Sequence, residues 1–233
     1  MKTSSDNVVR RKHRKWLVAA ITIIPLTLIV FGFSLFTAMP GRSYAGALPV
    51  LTTDEAVLSE NLKRHVATLS VNLGERNLSR YPVLKASAGY IENEFIRSGL
   101  KVNSQVYFVD SKPVRNLEIE LGGNSSNDEV IVVGAHYDTA VGTPGANDNS
   151  SGTAAIIELS RLLENANLDR KVRLVAFVNE EPPYFLTAGM GSHVYAKQCH
   201  HQKDNIVAML SLETIGFYSD SPGSQRYPPV FGR

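Results

Sequence analysis

The sequence predicts an α/β domain, a three-layer αβα sandwich with a mostly parallel central sheet, preceded by an N-terminal transmembrane helix. Two observations predict the domain. Three continuous apolar runs, "EVIVVGA", "KVRLVAFV" and "NIVAMLSL", read as strands buried on both faces. Amphipathic helical stretches lie between them, and strand, helix, strand, helix, strand is the order of a parallel sheet with right-handed crossovers. A third observation concerns the N-terminus. Trp16 to Met39 contains no charged residue. At ~1.5 Å rise per residue that stretch is long enough to cross a hydrocarbon core of ~30 Å.

The chain has 233 residues, 43% of them hydrophobic and 20% charged, enough for one α/β domain with a small appendage. The formal net charge of +2 is unevenly spread. Residues 1–15 hold Lys2, Arg10, Arg11, Lys12, Arg14 and Lys15 against Asp6 alone, which leaves the rest mildly acidic. The body therefore carries no nucleic-acid footprint. Cleavable leaders have apolar cores of only ~7–15 residues, so the apolar stretch 16–39 reads as an uncleaved anchor. The positive charges before it keep the N-terminus cytoplasmic and place the body outside, periplasmic or extracellular. The predicted organisation is a basic tail at 1–15, the anchor at 16–39, a Pro/Gly/Ser linker at 40–53 and the domain at 54–233. The single cysteine, Cys199, permits no intrachain disulfide and excludes a cysteine-based zinc site.

Within the domain, "DEAVLSENLKRHVATLSVNL" has Val57, Leu58, Leu62, Val66, Leu69 and Val71 at helical spacing, with Thr53 or Asp54 as its cap. "YPVLKASAGYIENEFIRSGL" is a second helix, closed by Gly99. The runs "KVNSQVYFV" and "RNLEIEL" are strand-like. "SSGTAAIIELSRLLENA" is a helix capped by Ser150 or Ser151, with Ile156, Leu159, Leu162 and Leu163 on one face. A last helix covers "GMGSHVYAKQCHH".

Ligands of open parallel sheets bind beyond the carboxyl ends of the strands. Three predicted strands end in metal-competent residues: His136 with Asp138, Glu180 with Glu181, and Glu213. Asp148 lies in the Gly-rich loop "GTPGANDNSSG" after the first of them. No Lys follows those glycines as a phosphate-binding loop requires. Singly, each feature is ordinary: a His after a strand, an "NDN" turn, a solvated "EE" pair. Their coincidence at three strand ends points to metal-assisted hydrolysis. Imidazole and carboxylates suit zinc without thiolate. Asp148 is placed to bridge two ions. Asp138 is placed to accept the second ring N–H of His136. Of Glu180 and Glu181, one binds metal and the other takes the proton from water.

These segments, "GAHYDT", "PGANDNSSG", "VAFVNEE" and "LSLETIG", together with "GERN" at Gly74 to Asn77, resemble the dizinc aminopeptidase family, peptidase family M28. It includes leucyl-type aminopeptidases, glutamate carboxypeptidase II-like enzymes and glutaminyl cyclases. The resemblance runs from about Leu58 to the C-terminus. It implies that His136 and Glu213 ligate the first zinc, Asp148 bridges both, Glu181 ligates the second, Glu180 is the general base and Asp138 orients His136. It implies a peptide substrate and two zinc ions in the complete site. Glu213 stands where the family usually has Asp. The family's last zinc ligand is a His further downstream, and no His follows His201 here. The expectation is a C-terminally truncated member holding one or two ions, with impaired activity. His193, His200 and His201 fall on the predicted last helix and are not expected to substitute. Two other readings stand beside the aminopeptidase: a glutaminyl cyclase-like acyltransferase, and a non-catalytic binding module on a peptidase fold.

Overall fold

Three apolar runs become the parallel part of a five-stranded sheet. The computed structural model describes residues 16–17, 21–34, 46–122, 128–219 and 221, in two units, Met1–Val50 and Leu51–Arg233. In the second unit the strands are β1 (Asn103–Val109), β2 (Lys112–Leu121), β3 (Glu129–His136), β4 (Lys171–Phe177) and β5 (Asn205–Ser211). The order across the sheet is β1-β2-β4-β3-β5. β3 runs parallel to both neighbours, pairing His136 with Phe177 of β4 and Gly134 with Ser211 of β5. The sheet is more mixed than the sequence predicted. β2 joins β4 antiparallel, with Leu117 opposite Ala176. β1 folds back on β2 as a hairpin whose two loop residues, Asp110 and Ser111, have φ of 47° and 62°. Two positive φ values are what a two-residue hairpin turn needs, and Asp and Ser are short polar residues suited to turns.

Helices cover both faces. On one lie α2 (Tyr81–Arg97) and α3 (Ser151–Leu163), with α1 (Thr53–Ala67) packed against them through His65; on the other lies α4 (Gly191–Gln202). The alternation of β4 separates the two cores. Leu174 and Ala176 point into the larger one, with Leu84, Ile91 and Phe95 of α2 and Ile156 of α3. Val175 and Phe177 point the other way, against Tyr195 and Cys199 of α4. Two-sided burial is why β3 and β4 lack the polar alternation of a half-exposed sheet. β5, expected to be buried on both faces as well, is an exposed edge strand, with Val207, Met209 and Leu210 47–49% exposed.

The helix ends differ in detail from the expectation. Thr52 rather than Thr53 or Asp54 caps α1: its side chain accepts from the Glu55 amide, and Glu55 accepts from the Thr52 amide at 2.7 Å. That reciprocal pair satisfies two otherwise unpaired donors. Ser150 makes no side-chain cap for α3. Asn149 takes that role, its Oδ1 accepting from the Gly152 amide at 3.0 Å. The buried stripe of α3 is Thr153, Ile156, Ile157 and Ser160, while the expected Leu162 is 53% exposed. Two of those four are hydroxyl residues, so an apolar count misjudges the face. The Thr153 hydroxyl reaches across to the His136 carbonyl at the end of β3, and that of Ser160 donates to the Ile157 carbonyl in its own helix. Likewise Val57 and Val71 are exposed, and His65 is the fully buried residue of α1.

Gly152 lets α3 start close to the site. A Cβ there would stand 2.5 Å from the Leu212 carbonyl oxygen and 2.6 Å from Asn149 Oδ1. The glycine thus brings the first turn of α3 against the chain leaving β5.

In the first unit, residues 16–17 and 21–34 are helical. Among the described residues, no helix is long and apolar enough to cross a membrane. Residues 18–20 and 35–39 of the anchor expected at 16–39 lie outside the described residues.

His65 ties the three helices of the larger face together. Its Nδ1 lies 2.6 Å from the Tyr90 hydroxyl of α2 and its Nε2 lies 3.1 Å from Glu158 of α3. Burial pulls the His65 pKa below its ordinary 6.5, outweighing the opposing pull of Glu158. The unfolded chain therefore binds this proton at a pH where the folded one does not. Stability from His65 is present above about pH 6.5 and is lost as pH falls below it. On going from pH 7.5 to 5.5 the urea midpoint of the wild type is expected to fall relative to that of His65→Gln, and parallel pH profiles would remove His65 as the source.

Candidate metal centre

The parallel register delivers three strand ends to one rim. His136 is the last residue of β3 and faces Phe177, the last of β4. The amide of Leu212 continues the β5 pairing by donating to the Gly134 carbonyl at 2.8 Å, and the chain then turns at Glu213. Asn116 of β2 holds the segment after β4: it accepts from the Val178 amide at 3.1 Å and donates to the Gly191 carbonyl at 2.8 Å. Glu180 and Glu181 follow directly.

His136 is buried, and its Nε2 faces the rim. Asp148 Oδ1 stands 3.0 Å from it, Glu213 Oε2 3.4 Å and Glu180 Oε2 3.8 Å. Two sets of potential ligand atoms each gather within 4.8 Å: His136, Asp148 and Glu213, and His136, Glu180 and Glu181. Five of the six residues singled out in the sequence fall in these sets, and the sixth, Asp138, has Oδ1 3.5 Å from His136 Nδ1.

Asp138 is buried beneath the rim. Its two oxygens accept from the amides of Glu180 and Glu181, each at 3.1 Å. That bidentate grip fixes the turn carrying both glutamates. The expected hydrogen bond to His136 is not formed: Nδ1 lies 3.5 Å from Asp138 Oδ1 and has no hydrogen-bond partner. A buried imidazole with one nitrogen unpartnered and the other facing carboxylates fits a cation-binding set. Nitrogen and oxygen donors without thiolate suit zinc.

The electrostatics agree. Burial opposes a charge on His136, but Asp138 and Glu213 overbalance it and raise the pKa to about 11. Burial, with the neighbouring carboxylates, raises Glu180. Burial and then the charge of Asp148 raise Glu181. Without a cation the cluster retains protons, and a divalent ion would displace them.

Two residues that reading the sequence missed complete the site. Asn149 donates from Nδ2 to the Leu212 carbonyl at 2.8 Å and to Glu213 Oε2 at 3.3 Å, linking the Asp148 loop to Glu213. Arg76 lies fully buried behind that loop. In sequence both look like ordinary polar residues of turns. His193, His200 and His201 belong to no metal-competent group among the described residues.

Nitrogen and carboxylate donors gathered at one rim of an α/β sheet could hold a metal ion. Residues 116–229 match Peptidase family M28. YfbL of Escherichia coli K12 is 36% identical over 214 residues, covering 88% of this chain and 64% of YfbL. Aminopeptidase YwaD of Bacillus subtilis is 27% identical over 164 residues, 70% of this chain and 34% of its own length. The chain thus spans 64% or less of these relatives. The solved zinc aminopeptidase of Bacillus subtilis shares the fold, with a TM-score of 0.61 at 14% identity over 68% of this chain and 69% of that one.

Asp138→Asn would turn an NH₂ toward one of the two amides that the carboxylate now accepts. It is expected to cost about 1–3 kcal/mol in urea denaturation of the metal-free protein. Unchanged stability would show that the grip on the Glu180–Glu181 turn is not what holds it.

Proposed function

We propose that the chain is the metal-binding domain of a membrane-anchored, extracytoplasmic zinc-dependent exopeptidase of the aminopeptidase type. The observation that carries this reading is the gathering of His136, Asp148, Glu180, Glu181 and Glu213 at one sheet rim. The relatives support it by what they are: YwaD is an aminopeptidase, and the solved neighbour a zinc aminopeptidase. Attachment to a membrane rests on the basic cluster followed by the uncharged stretch Trp16–Met39.

His136, Asp148 and Glu213 would hold one ion, and Glu181 with the shared Asp148 would serve a second. Bound zinc supplies Lewis acidity to the scissile carbonyl and acidifies the attacking water. Glu180 is the general base. It is partly exposed, sits 3.8 Å from the His136 ring, and has a carboxyl whose pKa burial raises toward the working range of a base. It takes the proton from water and passes it to the leaving amine. Asp138 keeps Glu180 aimed by gripping its backbone amide.

Glu180→Gln separates binding from chemistry, because Glu180 is not among the ligands assigned here. The full-length chain with this substitution is expected to take up zinc like the wild type and to lose ~10²- to 10⁴-fold in release of N-terminal amino acids from short peptides. Turnover equal to wild type would remove Glu180 from the reaction. Cyclisation of N-terminal glutamine without amino-acid release would replace peptidase with cyclase.

A further inference from the structure

Arg76 is the largest fully buried side chain in the described structure, and its function follows from what it touches. Its Nε donates to the Tyr137 carbonyl at 2.6 Å, between His136 and Asp138. Its Nη1 reaches the carbonyls of Leu69, Gly74 and Pro144, at 3.1, 3.2 and 2.7 Å. Its Nη2 donates to the Gly145 carbonyl at 3.0 Å and to Ser150 Oγ at 2.7 Å. The backbone is stitched to the same place: the Arg76 amide donates to Thr139 Oγ1 at 3.1 Å, and the Thr139 amide donates to the Arg76 carbonyl at 3.0 Å.

Two of these contacts bracket the segment Gly145–Ser150, which presents Asp148. A third holds the strand end that presents His136. No carboxylate forms an ion pair with Arg76 among the described residues. The nearest counter-charges acting on it are those of Asp138 and Asp148. Gly145 allows the close approach. It has φ of 59°, and a Cβ there would meet Thr139 Cγ2 at 2.4 Å, the Asp148 carbonyl oxygen at 2.5 Å and Arg76 Nη2 at 3.2 Å.

From this we infer that Arg76 is a positioning residue for the metal centre, fixing the Asp148 loop against the His136 strand end so that the two ligands converge. Its side chain is fully buried and acts through the backbone and Ser150. The planar guanidinium spreads five donors over carbonyls on three segments, which the single ammonium of lysine cannot do. The inference rests on the metal-centre reading given above.

The test is a calorimetric titration of zinc into the metal-free full-length chain, beside urea midpoints. The variants are Arg76→Lys, Ser150→Ala and a core control, Leu84→Ala, which lies on α2 away from the loop. Arg76→Lys keeps the charge and loses the fork. It is expected to weaken zinc binding to the folded protein ~10- to 100-fold, the range for residues that orient ligands. Ser150→Ala removes one acceptor of the fork and is expected to weaken binding up to ~10-fold. Leu84→Ala is expected to lower the urea midpoint and leave zinc affinity within ~2-fold of wild type, because it perturbs no ligand. Should Arg76→Lys not fold, Ser150→Ala carries the test. Wild-type affinity in the foldable loop variants, or a loss no greater than in Leu84→Ala, overturns the positioning role. A wild-type chain that takes up no zinc overturns the metal reading itself, an outcome visible in the same titration before any variant is compared.

Discussion

Five carboxylates around one buried imidazole are the constraint from which the rest of the domain follows. Asp138, Asp148, Glu180, Glu181 and Glu213 converge on His136, and like charges at that spacing repel unless protons or a cation intervene. Burial first and the neighbouring carboxylates after it raise the pKa values of Glu180 and Glu181, and Asp138 and Glu213 hold the proton on His136 against its burial. A cluster so unfavourable to its own charge does not assemble by attraction among its members. The scaffold has to impose it, and each part of the scaffold can be read by what it does to the cluster.

The sheet imposes most of it. Parallel strands in register end together, so residues just past β3, β4 and β5 cannot avoid one another. Burial on both faces keeps β4 from sliding, since a shift of one residue would exchange Leu174 and Ala176 with Val175 and Phe177. The loops then refine what the sheet makes approximate. Asp138 grips the Glu180–Glu181 turn, Asn149 ties the Asp148 loop to Glu213, and Arg76 binds that loop to the end of β3. These three act on backbone or on other ligands, which is how a ligand set is held to the precision that metal chemistry needs.

Much of this was legible in the sequence, for a physical reason. Buried parallel strands leave an unbroken apolar signature, and a site beyond their carboxyl ends puts its residues where that signature stops. His136, Asp148, Glu180, Glu181 and Glu213 were readable as positions on that pattern. What the pattern does not carry is hydrogen bonding. The cap at Asn149, the hydroxyls of Thr153 and Ser160 on the inner face of α3, and the bonds of Asp138 to two amides depend on directions that composition does not record. Arg76 is the clearest case. A lone Arg between Glu and Asn reads as solvated, and only the fold shows carbonyls arranged to replace its water. The antiparallel addition of β1 and β2 escaped for a related reason, because short strand-like runs do not state which edge they join.

The most direct test of a metal centre at His136 is anomalous X-ray scattering at the zinc edge from crystals of the full-length protein grown with zinc. The account predicts a peak within about 2.0–2.2 Å of His136 Nε2 and of carboxylate oxygens from Asp148 and Glu213. A peak only at surface histidines such as His200 and His201, with none at His136, would contradict it.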